Sequence, residues 1–271
     1  MSIIDEIMGS RTEQPLERLV NDGGFCGIFR TIGCVGDSLS SGEFEATRLD
    51  GTTAYIDMYD YSWGQYLARM AGCQVRNFSR GGMTAKEYCD TFAAENGFWD
   101  TDKACQAYII ALGVNDIAHL EDLYGGEVGS AQDVCAEDYS KNKPNFAGYY
   151  AQILQRLKLI QPRAKFFLMS MPRDGRTGQK KVYAEAVTRL LYELAELFEN
   201  IYVLDFEKYA PEYDEAFKQN FYLSNHMNPC GYIVTAKLVA SYIDYIIRHN
   251  MKDFKQAGFI GTGYVCREAE R

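Results

Sequence analysis

The chain has 271 residues, 47% of them hydrophobic, which is enough to bury one large core and sets the expectation of a single α/β domain over residues 1–271. Its 28 basic residues are outnumbered by 37 acidic ones, giving a formal charge of −9 with no basic run, so nucleic acid and anionic membranes are not expected as partners. Residues 1–8 carry acids early, and the longest apolar runs fall far short of the ~20 residues that span a bilayer, so a soluble, cytoplasmic protein is expected.

In chain order, five apolar runs of strand length stand out: residues 29–35, 74–78, 107–112, 165–171 and 201–206. Between them lie segments with helical spacing, at residues 63–70, 84–94, 144–160, 180–198 and 229–248. Thr84 is placed to cap the second, and Pro144 suits the first turn of the third. Strands alternating with helices predict a parallel sheet covered on both faces. The stretches 40–61 and 117–143 read as long irregular loops, and both follow strand ends, where loops build sites. The core is expected over about 29–248, with the first 28 residues and the tail from Met251 packed on it as extensions. Eight scattered cysteines, with no CxxC pair and no histidine at zinc-finger spacing, read as reduced thiols, several of them buried.

Chemistry concentrates in four blocks. The first strand ends in Gly36-Asp37-Ser38-Leu39, which brings a hydroxyl to the carboxyl edge of the sheet, where open α/β sheets hold ligands. The second strand is followed by Ser79-Arg80-Gly81-Gly82, the third by Gly113-Val114-Asn115-Asp116, and the last helix is preceded by His226-Met227-Asn228-Pro229. Taken alone, Ser38 suits a helix cap, a phosphate loop or a nucleophile. The loop lacks a Walker lysine, and a nucleotide-binding reading leaves His226 unexplained.

In this order the four blocks resemble the GDSL/SGNH hydrolase superfamily, over roughly residues 29–248. The resemblance implies a three-layer, flavodoxin-like α/β/α sandwich with a five-stranded parallel sheet. It also implies ester hydrolysis with Ser38 as nucleophile and His226 as general base. The oxyanion hole would be formed by the backbone N–H groups of Ser38 and Gly82 and the side-chain amide of Asn115. Acyl transfer needs these three functions whatever the family: a nucleophile, a base for its proton, and donors for the developing oxyanion. Gly81 and Gly82 leave the register of the second donor open by one residue.

One position departs from the pattern. Many relatives place an aspartate three residues before the histidine, and here that residue is Leu223. His226 would then work in a dyad oriented by a carbonyl, by Ser224 or by Asn225, or would take a carboxylate from elsewhere, such as Asp205 or one within residues 50–60. Asp37 reads as a structural acid that bonds the loop backbone. His249 suits the end of the last helix.

Arg80, His119, Tyr59 and Trp63 are candidate substrate contacts. For each a structural role competes: a salt bridge for Arg80, a loop position for His119, and core packing for the aromatic cluster Tyr55, Tyr59, Tyr61 and Trp63, whose functional alternative is stacking on a sugar ring. The expectation is a serine esterase acting on a short acyl ester, with acetyl esters of carbohydrates as first candidates and no cofactor or metal. Thioester or lysophospholipid hydrolysis is the nearest alternative, and a non-catalytic binding module on the same fold is another.

Overall fold

The computed structural model describes residues 3–267; Met1, Ser2 and residues 268–271 of the expected domain lie outside it. Strands β1 (Thr31–Gly36), β4 (Gln74–Ser79), β5 (Ala107–Ala111), β6 (Lys165–Met169) and β7 (Ile201–Leu204) form a parallel sheet in the order β4-β1-β5-β6-β7. The five expected strands are therefore present, in the flavodoxin-like order. Both faces of the sheet are buried because neighbouring residues point in opposite directions. Tyr108 and Ile110 enter one core while Ala107 and Ile109 enter the other; Phe166 and Leu168 are likewise separated from Phe167.

Helices α4 (Phe146–Ile160) and α5 (Gly178–Leu197) cover the first face; α2 (Trp63–Ala71) and α7 (Pro229–His249) cover the second. By length and composition α7 is apolar enough to cross a membrane, yet it lies largely buried as the principal helix of the second core. Helix α4 begins at Phe146, with Asn145 as its cap receiving the Gly148 N–H at 3.0 Å, so Pro144 lies just outside it. Thr84 does cap its segment, accepting the Glu87 N–H, but one turn further on the helix widens to a π-turn over Tyr88–Phe92.

The stretch 40–61 is not irregular. After the single turn α1 (Ser38–Ser41) it forms an antiparallel hairpin of β2 (Glu43–Thr47) and β3 (Thr53–Asp57). A second small pair, β8 (Tyr222–Leu223) with β9 (His226–Met227), follows α6 (Glu215–Phe221). Both extensions pack on the core. The buried Arg248 guanidinium bonds Asp244 Oδ2 at 2.8 Å and both Glu13 carboxylate oxygens at 2.7 Å, tying the N-terminal segment to α7. From the tail, Ala257 and Ile260 enter the second core. No cysteine among the described residues is in a disulfide, and Cys26, Cys34, Cys89 and Cys105 are buried.

In such an order the chain runs outward from β1 to β4 and then returns across β1 to β5. The crevice between the carboxyl ends of β1 and β5 is thus the topological switch point, the usual ligand position in this architecture. Ser38 follows β1, and Asn115 lies in the short helix α3 (Val114–Ala118) directly after β5.

Candidate active site

Ser38 opens α1, whose cap is Asp37: the Leu39 N–H donates to Asp37 Oδ1 at 3.1 Å. Asp37 is buried, and burial pushes its carboxyl up to about 7, with the nearby charges of Asp116 and Glu43 adding to the rise. Its role is the structural one read from the sequence. The Ser38 side chain is half-buried, and its Oγ makes no hydrogen bond among the described residues.

The loop after β4 turns at Arg80-Gly81-Gly82-Met83, closed by the Met83 N–H on the Arg80 carbonyl at 3.2 Å. Gly82 takes φ +72° at the third position, which glycine adopts without strain. The two glycines differ in what faces them. A Cβ at Gly81 would meet Glu43 Oε2 at 2.0 Å, whereas one at Gly82 would meet nothing within 4 Å. The space on the Cβ side is thus open at Gly82 and filled by Glu43 at Gly81.

The Asn115 side-chain amide donates one hydrogen to the Met83 carbonyl at 3.1 Å, fixing its orientation and leaving the second hydrogen unused. The neighbouring Asp116 accepts the Ala85 N–H at 2.8 Å and the Tyr124 hydroxyl at 2.5 Å. Burial raises Asp116 to about 6. These bonds join the loops after β4 and β5 into one unit.

His226 lies on β9, which packs against α1. It has no hydrogen bond to Ser38. Its Nε2 lies 3.0 Å from Glu43 Oε1, and its Nδ1, otherwise without a partner, lies 3.7 Å from Glu45 Oε2. Alternation along β2 puts Glu43 and Glu45 on one face and Phe44 on the other, where its ring packs edge-on against Tyr61 and Tyr232. Glu45 also accepts the Ser224 hydroxyl at 2.9 Å and the Asn225 N–H at 3.2 Å, gripping the turn that carries His226. Burial raises the Glu43 carboxyl, a shift opposed by His226 and reinforced by Asp57. Hydrogen bonding, led by Ser224, lowers that of Glu45.

The carboxylates beside the histidine therefore come from the hairpin. Leu223, opposite His226 in the β8–β9 pair, is 48% exposed, and Asp205 is occupied in capping Lys208 and bonding Tyr192. Sequence reasoning missed both glutamates because it read residues 40–61 as loop. The signal was present in the alternation Glu43-Phe44-Glu45 and the Asp50-Gly51 turn ahead of Thr53-Ala54-Tyr55.

The four proposed substrate contacts separate. Trp63 is fully buried, and the half-buried Tyr59 donates its hydroxyl to the Val75 carbonyl at 3.0 Å, so neither offers a face to a sugar. The exposed aromatic beside the site is Tyr55, 59% accessible, whose ring lies edge-on to His226 at 5.7 Å. Arg80 pairs with Glu87 and lies over the Phe92 ring, which favours its structural reading. His119 is exposed at the end of α3.

A flavodoxin-like sheet whose first three strands are followed by Ser38, Gly82 and Asn115, with His226 just before the last long helix, defines the class: an SGNH-type hydrolase fold. The sequence matches the GDSL-like lipase/acylhydrolase family over residues 34–233, and the chain belongs to that family. No curated protein matches the sequence.

Among solved structures, the chain is similar to a family 2 carbohydrate esterase from Clostridium thermocellum in complex with cellohexaose (TM-score 0.52, 17% identity), covering 89% of this chain and 66% of that one. It also resembles a family 2 carbohydrate esterase with a carbohydrate-binding domain from Corynascus thermopiles (0.54, 15% identity, 85% and 68% covered). A family 3 carbohydrate esterase from Clostridium thermocellum gives 0.52 at 14% identity, covering 81% of this chain and 97% of that chain. At these identities the likeness is one of fold.

Proposed function

We propose that the protein is a serine esterase that cleaves an acyl ester of a carbohydrate through an acyl-enzyme. The observation that supports this reading is that Asn115 bonds the Met83 carbonyl and Asp116 the Ala85 N–H, tying together the two loops that carry Gly82 and Asn115, the donors an oxyanion would use beside the Ser38 N–H.

Ser38 Oγ forms a bond to the ester carbonyl carbon while its proton passes to His226. The carbonyl oxygen becomes negative and takes hydrogen bonds from the Ser38 and Gly82 N–H groups and from the unused Asn115 hydrogen. The C–O bond to the alcohol then breaks, and His226 returns the proton to the leaving oxygen. Water, deprotonated by His226, releases the acid and restores Ser38.

Glu43 and Glu45 flank the imidazolium formed at each proton uptake, supplying the negative charge that Leu223 lacks. With Nε2 held by Glu43, the nitrogen of His226 left to accept the Ser38 proton is Nδ1, which has no hydrogen-bond partner, and its bond to Ser38 would form when substrate fills the crevice, as catalytic contacts commonly do on binding. The similarity to carbohydrate esterases supports a sugar as the alcohol, and Tyr55 is the exposed ring placed to meet it.

The test is hydrolysis of p-nitrophenyl acetate and acetylated oligosaccharides by the wild type and Ser38→Ala, together with a fluorophosphonate label. Wild type should turn over and label at Ser38, and the variant should lose on the order of 10⁴-fold or more of kcat. Equal slow release by both proteins, with no label on Ser38, would sink the proposal.

A further inference from the structure

At the amino edge of the sheet, away from the edge that carries Ser38, a cavity of about 280 Å³ lies between the starts of β6 and β7 and the segment after α7. Arg163, Lys165, Lys252 and Lys255 line it, and Asp253 is the acid in its wall. In a chain with 37 acidic residues against 28 basic ones, four cations on one small cavity reverse the overall sign. Lys165 opens β6 and is only 7% accessible; its Nζ donates to Asn200 Oδ1 at 2.5 Å and lies 5.2 Å from the centre of the Phe254 ring. Arg163 donates to the carbonyls of Phe259, Thr262 and Tyr264 at 2.6, 2.7 and 3.0 Å, so the tail wraps its guanidinium and fixes it. These partners are neutral. Among the described residues, Arg163, Lys165 and Lys252 enter no salt bridge. Asp253 favours the charged form of Lys165, but burial outweighs it and Lys158 adds to the fall, so the ammonium sits below its ordinary value. Cations taken out of water are costly unless an anion accompanies them, and these have none in hydrogen-bonding contact.

We propose that this cavity binds the phosphoryl group of a small phosphorylated metabolite, with Lys165, Arg163 and Lys252 as its donors. The charge argues for a dianion. A phosphate monoester brings a charge of about −1.5 to −2 and three strong acceptor oxygens, which match several cations on one cavity. A carboxylate brings one charge and two oxygens, and would leave the excess uncompensated. Size argues for more than a bare ion, because a cavity of about 150 Å³ already holds benzene. Ile260 and Val265 give this larger one an apolar wall for the rest of the molecule. The chain's net charge of −9 weighs against a polyanion such as nucleic acid and leaves a compact ligand. The site lies at the opposite end of the strands from Ser38, Gly82 and Asn115, so the proposal does not rest on the esterase reading.

The experiment is calorimetric titration of the full chain with phenyl phosphate, inorganic phosphate and benzoate, at about 0.15 M salt, where diffuse surface charge is screened. Phenyl phosphate should saturate one site per chain. Inorganic phosphate should bind the same site severalfold more weakly, since it leaves the apolar wall unused. Benzoate, which keeps the ring but carries a single charge, should bind at least about tenfold more weakly than phenyl phosphate. Lys165→Met, which keeps the length of the side chain and removes its charge, should weaken phenyl phosphate by about tenfold or more, and the exposed Lys252→Ala severalfold. Lys181→Ala, an exposed lysine on α5, should change nothing. Lys252→Ala and the three probes carry the test if the Lys165 variant misfolds. No saturable binding of either phosphate overturns the proposal, as does benzoate binding as tightly as phenyl phosphate. Binding undiminished in both Lys252→Ala and Lys165→Met does the same. Inorganic phosphate binding as tightly as its phenyl ester overturns the assignment to a phosphorylated metabolite.

Discussion

Ser38, Gly82 and Asn115 follow β1, β4 and β5 of the main sheet, and bonds from Asn115 to Met83 and from Ala85 and Tyr124 to Asp116 tie the last two loops together. His226 is held quite differently, at the rim, by side chains of a two-stranded hairpin that has no place in the main sheet. On the proposed esterase reading, the nucleophile and oxyanion donors would sit on loops that follow strands of the main sheet, whereas the base would lean on a hairpin outside it. The comparison teaches that the negative charge beside His226 comes from Glu43 and Glu45 on that hairpin and not from position 223, where Leu223 stands.

The sharpest way to break this contrast is at Asn115. If the half on the main sheet acts as one preorganised unit, Asn115→Ala should lower kcat by about 10²–10³-fold with little change in KM, because the lost donor acts mainly on the transition state. A change confined to KM would mean that Asn115 merely positions the ground state. The measurement is steady-state kinetics on an activated ester, with circular dichroism confirming the fold.

The rim half should yield less. Glu43→Gln removes the carboxylate 3.0 Å from His226 Nε2 but keeps its shape. Loss of the anion beside the imidazolium should reduce kcat by about 10–100-fold with little change in KM. A purely structural role for Glu43 would instead show as a loss of Tm with kcat per folded protein unchanged. Glu45→Gln should act more weakly, and the double variant should show less than the product of the two effects if the glutamates serve one ring.

The same division decided what could be read from the chain. All five strands stood out because apolar runs of strand length ending in polar loops are a local pattern, whereas their order and the candidate roles of Ser38, Asn115 and His226 came with the family resemblance carried by the four blocks. The difference between the adjacent glycines was not legible, since it lies in the placement of Glu43 against Gly81. The acid partners were not legible. A glutamate on β2 meets a histidine more than 180 residues away only because β2 packs against β9, and nothing local announces that contact. For Trp63 the sequence left core packing and sugar stacking open, and its position at the start of α2 puts it in the second core.

The smallest expected effect tests whether the half on the main sheet carries a cost. Asp37 is buried beneath Ser38 with its carboxyl raised to about 7, chiefly by desolvation. The folded protein therefore keeps a proton on Asp37 that the unfolded chain, with an ordinary aspartate near ~3.9, releases between about pH 4 and 7. Because the native state binds more protons across that window, stability falls as pH rises through it; the contribution is fully present below the unfolded value and is lost by about pH 7. Asp37→Asn can still accept the Leu39 N–H as a helix cap but has no charge to bury. The variant should lose less Tm than the wild type between pH 5 and pH 8. A difference of about 1 kcal/mol corresponds to roughly 2–4 °C in a chain near this size. Part of the slope should persist, since Asp116, raised to about 6, titrates in the same direction. Parallel curves for the two proteins would mean that Asp37 is solvated better than its burial implies, and that the bed under Ser38 is looser than the loops above it.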